Sequence, residues 1–440
     1  TRLAATTRAG CRARPRRLAI SHRTPEIPAM IPPIVDRHGC YSRGPFRFAG
    51  PKALALLMGG LLPVLGCTGE RPPPEPVYGE PGEAVAGLTA AERAAFDQGA
   101  IVFGRIYSPA EGLGPRFNEN SCDACHTFPA DGGTGETNVR RVSTTLPDGA
   151  CDPLEPLSGP NLRIQVTPAL AAAGGVPERS RDIGSHTGVF TIPFLYGAGL
   201  LEAIPVETLE ALADPEDTDG DGISGRLGAD ARGRPARFGR KADIATLEDF
   251  VDSAFRMEMG LTTPLVPDED RAGNPPGVPA GVDPRPEPEV DLASFEAVTA
   301  FVRFLAPPAP SPVDGSMEIQ GRELFAALGC EACHVPVLVT GDHESPALAN
   351  QAVELYSDLL LHDMGPGLES VCTSGATTTE HRTEPLMGLR HRDRFLHDGR
   401  ATRIMDAVLT HGGEAEAARE RFSALDRLQQ EAVLEFLRTR

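Results

Sequence analysis

The chain has 440 residues, with 42 Lys+Arg against 61 Asp+Glu, a formal charge of −19, nine Cys and no Trp. That length fits two or three domains, and the acidic balance excludes nucleic-acid binding, which needs a basic face to displace counterions. No stretch reaches the ~18–20 apolar residues of a spanning helix, and 47 Gly with 42 Pro mark a loop-rich globular chain.

Residues 1–66 hold 11 Lys+Arg and only Glu26 and Asp36, so the remainder carries 31 basic and 59 acidic residues, a net of −28. Arg43, Arg47 and Lys52 precede an apolar run over 53–66 and then Cys67. A basic flank, a short apolar stretch and a small-residue boundary describe an export signal, and Val64-Leu65-Gly66-Cys67 resembles a bacterial lipobox, whose Cys becomes the lipidated first residue. The expectation is a pre-sequence over 1–66, with 1–50 an over-extended start, and a Pro-rich tether over 67–87. The protein then lies on the periplasmic side of a bacterial envelope, and touches the membrane only through a lipid anchor on Cys67.

Folded sequence is predicted from Thr89, where Thr89-x-x-Glu92 forms a capping box ahead of an amphipathic run through Phe96, Ile101, Val102 and Phe103. Next comes Cys122-Asp-Ala-Cys125-His126, which recurs as Cys330-Glu-Ala-Cys333-His334. C-x-x-C-H attaches c-type haem: two thiols add across the porphyrin vinyls and the adjacent imidazole takes one axial position of the iron. A thioredoxin-like pair has no use for the His, and a four-thiolate zinc site leaves both His unexplained.

Between the motifs, Asp217-x-Asp219-x-Asp221-Gly222-x-Ser224 alternates hard oxygen ligands before a Gly turn, as Ca²⁺ loops do, although Gly228 stands where such a loop has its bidentate Glu. Helical periodicity is predicted over Leu292–Leu305, and the Pro-rich 306–314 segment ends it. Two repeats frame the motifs. Gly99-x-x-x-Phe103 and Gly321-x-x-x-Phe325 precede them, and Glu296-Ala297-Val298-x-x-Phe301 matches Glu431-Ala432-Val433-x-x-Phe436. The predicted fold is mainly α: two cytochrome c-like domains with long irregular loops, 88–306 enlarged by insertions and 316–440, joined by a linker over 307–315. Cys151 and Cys372 remain as a candidate disulfide in an oxidising compartment.

A haem with both axial positions filled by protein passes electrons, whereas an open position binds small ligands. After the second motif the candidate ligands are His343, His362, Met364, His381, Met387, His391, His397, Met405 and His411, and the residue pattern does not choose among them. Near the first motif His186 is the only further imidazole.

From Gly87 onward the chain resembles the bacterial di-haem oxidoreductase family, thiol oxidoreductase-like relatives of di-haem cytochrome c peroxidases and MauG. The resemblance rests on GLGPRFNENSCDACHTFPADGG, GAGLLEAIP, DPEDTDGDGISGR, YSDLLLHDMGPGL and FLHDGRATRIMDAVLTHGGEA. It implies two covalently bound haems c, with His126 on the first iron. In the related peroxidases an HDG segment precedes a Met ligand, and the same 14-residue step from His397 reaches His411. It therefore implies a His334/His411 electron-transfer haem feeding a peroxidatic first haem, with hydrogen peroxide as oxidant. Glu202 in GAGLLEAIP is the implied carboxylate for the proton step, His362 and His397 are hydrogen-bonding residues, and the Asp217–Ser224 loop gains support as a calcium site. Relatives carry a Trp between the haems, where this chain has Arg240, and Met387 replaces another common Trp. The −28 region suits a small basic cytochrome as donor. The alternative function is a di-haem electron-transfer cytochrome without a substrate of its own.

Overall fold

The computed structural model describes residues 74–154, 161–179, 184–268, 279, 281–312 and 315–440; the expected export signal and Cys67 lie outside them. Four helices frame the two Cys-x-x-Cys-His turns: α1 (Ala90–Phe103), α2 (Leu292–Phe304), α3 (Ser316–Ala327) and α4 (Arg427–Arg438). Their starts are written in the sequence. Thr89 accepts from the Glu92 amide at 3.2 Å while Glu92 accepts from the Thr89 amide at 2.7 Å. Asp291 caps α2 and Asp426 with Gln429 boxes α4 in the same way.

α1 packs on α2 and α3 on α4, and the repeated glycines explain how. A Cβ on Gly99 would overlap the Ala297 carbonyl and Phe301, and one on Gly321 would overlap the Ala432 carbonyl and Phe436. Each pair therefore crosses at backbone contact. That closeness brings Phe103 to Phe301 (ring centroids 4.9 Å apart) and Phe325 to Phe436 (5.3 Å). The expected insertions in the first half include a three-stranded sheet, in which β1 (Asn138–Thr145) lies between β2 (Cys151–Asp152) and β3 (His186–Thr191). β1 and β3 are antiparallel, in register from Asn138↔Thr191 to Ser143↔His186. The remaining strands are two- or three-residue pairs.

The expected division into two domains with a free tether and linker is not confirmed. The described residues belong to one unit, because Leu338, Leu348, Val353, Leu355 and Leu360 of the second half are buried in the same core as Phe96, Phe103, Phe301 and Val302. A smaller core joins Phe325, Tyr356, Phe422, Val433 and Phe436. Nor is the described part of the expected tether free. The Val77 amide donates to Ala352 O (3.1 Å), that of Gly79 to Pro307 O (2.9 Å) and that of Val85 to Phe304 O (2.8 Å), while Pro307 and Pro308 in the expected linker are buried. Apolar residues on these Pro-rich segments supply burial that a spacer lacks. No helix among the described residues is long and apolar enough to cross a membrane.

Candidate functional site

Each motif coils through one turn. His126 N donates to Cys122 O (3.1 Å) and His334 N to Cys330 O (2.9 Å), which brings both thiols and the imidazole onto one side of the backbone. Burial pushes the Cys122, Cys125 and Cys330 thiols up to about 12, so they stay protonated. Cys333 is raised for the same reason.

The two imidazoles are held alike. His126 Nδ1 lies 2.9 Å from Gly133 O and His334 Nδ1 2.9 Å from Tyr356 O. A carbonyl only accepts, so Nδ1 carries the hydrogen and Nε2 keeps its lone pair. Burial lowers both to about 4, and His411 adds to the depression of His334. Phe103 and Phe325 stand over them with ring centroids 6.1 Å away in both cases.

What lies opposite the imidazoles differs. His411 ends the helix Ile404–Thr410, whose Ile404, Met405 and Val408 pack into the smaller core with Cys330. Its Nδ1 lies 2.8 Å from Ala407 O, leaving a second, half-buried neutral imidazole within electrostatic reach of His334. His126 instead opens on a cavity of about 680 Å³ in which it is the only histidine lining the wall among the described residues. Phe103, Cys122, Cys125, Phe190 and Phe255 share that wall.

Acids and guanidiniums complete the cavity. Glu258 is half-buried and raised by desolvation, accepting from Asn118 Nδ2 (2.7 Å) and Asn161 Nδ2 (2.5 Å). Glu119 is raised by burial as well. On another wall Glu384 accepts from Arg240 (2.7 Å), Arg382 (2.7 Å) and Arg392 (3.0 Å). Burial works against the Glu384 charge, yet the three guanidiniums outweigh it and hold the carboxyl at about 2. Arg240, in the position where relatives carry Trp, also donates to Thr191 Oγ1 at 2.8 Å, and its Nε is buried without a partner.

Several expected residues stand elsewhere. Glu202 is absent from the cavity wall: it accepts from the Leu247 amide (2.7 Å) and pairs with Arg303 (3.2 Å), so its oxygens cap a helix and bind a guanidinium. His186 is likewise off the wall, with Nε2 2.8 Å from Thr145 Oγ1. Asp217, Asp219 and Asp221 come together, but Ser224 turns away, its hydroxyl donating to Glu414 at 2.9 Å. Cys151 and Cys372 are joined as a disulfide, Cα atoms 6.0 Å apart. His397 stacks on His381 (4.1 Å between centroids), and its carbonyl accepts from the Thr191 amide at 2.8 Å. His362 lies between Asp358 (2.8 Å) and Glu414 (2.7 Å). Burial opposes its charge, but Asp358, Cys333 and Glu414 outweigh that and raise it to about 12. Glu258 and Glu384 escaped the sequence reading; Asn118 and Glu119, immediately before the first motif, were the available signal for an acid beside it.

The donor set fits two haems. Each half supplies a neutral imidazole with a fixed tautomer, two protonated thiols in one turn and an aromatic ring over the His, and the cavity has arginines for acidic substituents. Two helix pairs, each framing such a turn, define a redox protein of the two-haem class. The chain belongs to the family described as “Di-haem oxidoreductase, putative peroxidase”, whose model matches residues 181–440. Among solved structures it is similar to hydrazine synthase of Kuenenia stuttgartiensis (14% identity, covering 89% of this chain and 100% of that one, TM-score 0.39). It is also similar to the diheme peroxidase BthA of Burkholderia thailandensis (16%, 84% and 93%, 0.37). A third likeness is to a MauG-like protein associated with microbial copper homeostasis (15%, 83% and 93%, 0.37). Comparison with curated proteins gives no match.

Proposed function

We propose that the chain is an exported c-type di-haem oxidoreductase in which one haem site passes electrons and the other reduces peroxide. Cys122, Cys125 and His126 hold one group, and Cys330, Cys333, His334 and His411 the other. Each thiol would hold its haem as a thioether, its sulfur on one vinyl carbon and its proton on the neighbouring one. A haem with an open axial position supplies the reduction of hydrogen peroxide by two electrons and two protons to two waters. The observation that carries this reading is the asymmetry between the sites: a second imidazole within electrostatic reach of His334, and a roomy cavity with no second imidazole on its wall beside His126.

The remaining steps fall to the chain. His411 Nε2, left free by the Ala407 hydrogen bond, would be available with His334 to hold the iron of the second haem. Glu258, oriented by two amides, takes a proton at a carboxylate oxygen and returns it. Arg240, Arg382 and Arg392 bind the acidic substituents on the cavity side. Segment 382–392 spans both sites, with Leu386 and Leu389 against the smaller core and Met387 against the larger. Cys67 carries the lipid, Ca²⁺ sits on Asp217, Asp219 and Asp221, and the donor is a small basic cytochrome drawn by the acidic surface. Mixing the haem-loaded protein with hydrogen peroxide tests the reading. Rapid oxidation of one of two haems per chain, followed by turnover with a reduced basic cytochrome, is expected; inertness toward peroxide leaves an electron carrier instead.

A further inference from the structure

Asp283, Glu287 and Glu289 each offer a carboxylate oxygen to one point, all within 4.8 Å of one another. Glu289 is 6% exposed, and its Oε1 is buried without a hydrogen-bond partner, as is Asp283 Oδ2. Among the described residues no Lys or Arg forms an ion pair with any of the three; Asp283 meets only the Arg285 amide, at 3.4 Å. Thr262 Oγ1 contacts a carboxylate oxygen of both Glu287 and Glu289. One hydroxyl has one proton and satisfies one acceptor, so the second carboxylate is left against a lone pair. Three converging carboxylates without a counter-charge, Glu289 buried, Asp283 half-buried and Glu287 exposed, favour a proton or a cation between them.

We propose that Asp283, Glu287 and Glu289 form a binding site for a hard divalent cation, with Ca²⁺ as the best-fitting ion. Oxygens up to 4.8 Å apart are edges and diagonals of a shell with bonds of about 2.3–2.6 Å. Acids alone, without thiolate or imidazole, select the alkaline-earth class over zinc or copper. Glu289 cannot leave, because its stem packs on Gly112, where a Cβ would overlap it, and its Oε2 accepts from the Thr262 amide at 2.7 Å. The rival occupant is a proton, since burial raises both Asp283, to about 6, and Glu289.

The location gives the cation a task. Thr262 follows the single π-turn Phe255–Met259, whose Met257, Glu258 and Met259 line the cavity around His126. The Val290 amide donates to Thr262 O at 3.1 Å, so a cation here would clamp segment 260–266 to segment 283–290 and fix the wall that carries Glu258. The exposed Asp217–Asp221 loop is a separate cluster without an unpartnered buried oxygen.

The test uses the full haem-loaded chain, stripped with chelator and titrated with Ca²⁺ and then Mg²⁺ by calorimetry, with thermal unfolding in parallel. The expected result is a Ca²⁺-binding component that raises the melting temperature, survives in Asp219→Asn/Asp221→Asn, and weakens by at least about tenfold in Asp283→Asn/Glu287→Gln. Should the double variant not fold, Glu287→Gln alone reads the same component, because Glu287 holds no backbone amide. The proposal is overturned if the variants at 283 and 287 bind as much Ca²⁺ as tightly as the wild type. It is also overturned if the stripped wild type takes up neither ion at millimolar concentration, which leaves shared protons as the occupants.

Discussion

His126 and His334 sit on equivalent turns, at the same distance from equivalent Phe rings, each with Nδ1 donated to a carbonyl 2.9 Å away. Near His334 the chain puts His411 on the end of a helix whose Ile404, Met405 and Val408 pack against the smaller core. Across from His126 it puts a cavity edged by Glu258, Glu119 and an arginine cluster. A repeated helix pair holds the imidazole of each site alike; what the chain places around it differs, and on the proposed reading that difference decides which haem has room for a substrate.

The largest expected effect comes from removing the one residue that separates the two halves. His411→Ala converts one of the two haems from low to high spin in the optical and EPR spectra; an unchanged spectrum assigns the ligand elsewhere. Next, Glu258→Gln slows reaction with peroxide by about 10²–10⁴-fold, measured by stopped flow. Glu202→Gln leaves that rate intact and costs about 1 kcal/mol of stability, through the Leu247 cap. Equal losses in both variants would remove the distinction between them.

The repeat itself is open to the same treatment. Gly99→Ala and Gly321→Ala each force a methyl into a facing carbonyl, at about 1–3 kcal/mol apiece in denaturant unfolding. A large cost in one and none in the other would show that the helix pairs are not equivalent. On the cavity side, Glu384→Gln leaves three guanidiniums without their carboxylate, a loss of about 2 kcal/mol at neutral pH for a pair partly open to solvent. Because the folded carboxyl titrates at about 2, below its unfolded value, the wild-type advantage is full above about pH 5. It fades as the pH falls from about 4 toward 2. A pH-independent difference would mean that Glu384 acts by shape alone.

Much of this was legible in the residues because it is local. Both Cys-x-x-Cys-His motifs, the cap at Thr89 and the Gly/Phe repeats depend on spacing along one helix or turn. His411 was reached through likeness to a family, and the smaller core then brought it near His334. The parts misread are those that distant segments assemble. Residues 338–360 pack into the first half's core, which no period within one segment announces. Residues 76–85 read as a spacer by composition, yet their backbone pairs with 305–308 and 352. The partners of Glu202, Leu247 and Arg303, are far from GAGLLEAIP in sequence, so its place at a helix start rather than on the cavity wall was not written locally. The ring of arginines on Glu384 draws on residues 240, 382 and 392, and so lay beyond local pattern as well.

The most direct test of the proposed asymmetry is the EPR spectrum of the ferric, haem-loaded wild type. One low-spin bis-His signal and one high-spin signal in equal amounts, with only the high-spin signal altered by peroxide, is the predicted result. Two low-spin signals that peroxide leaves unchanged would contradict it.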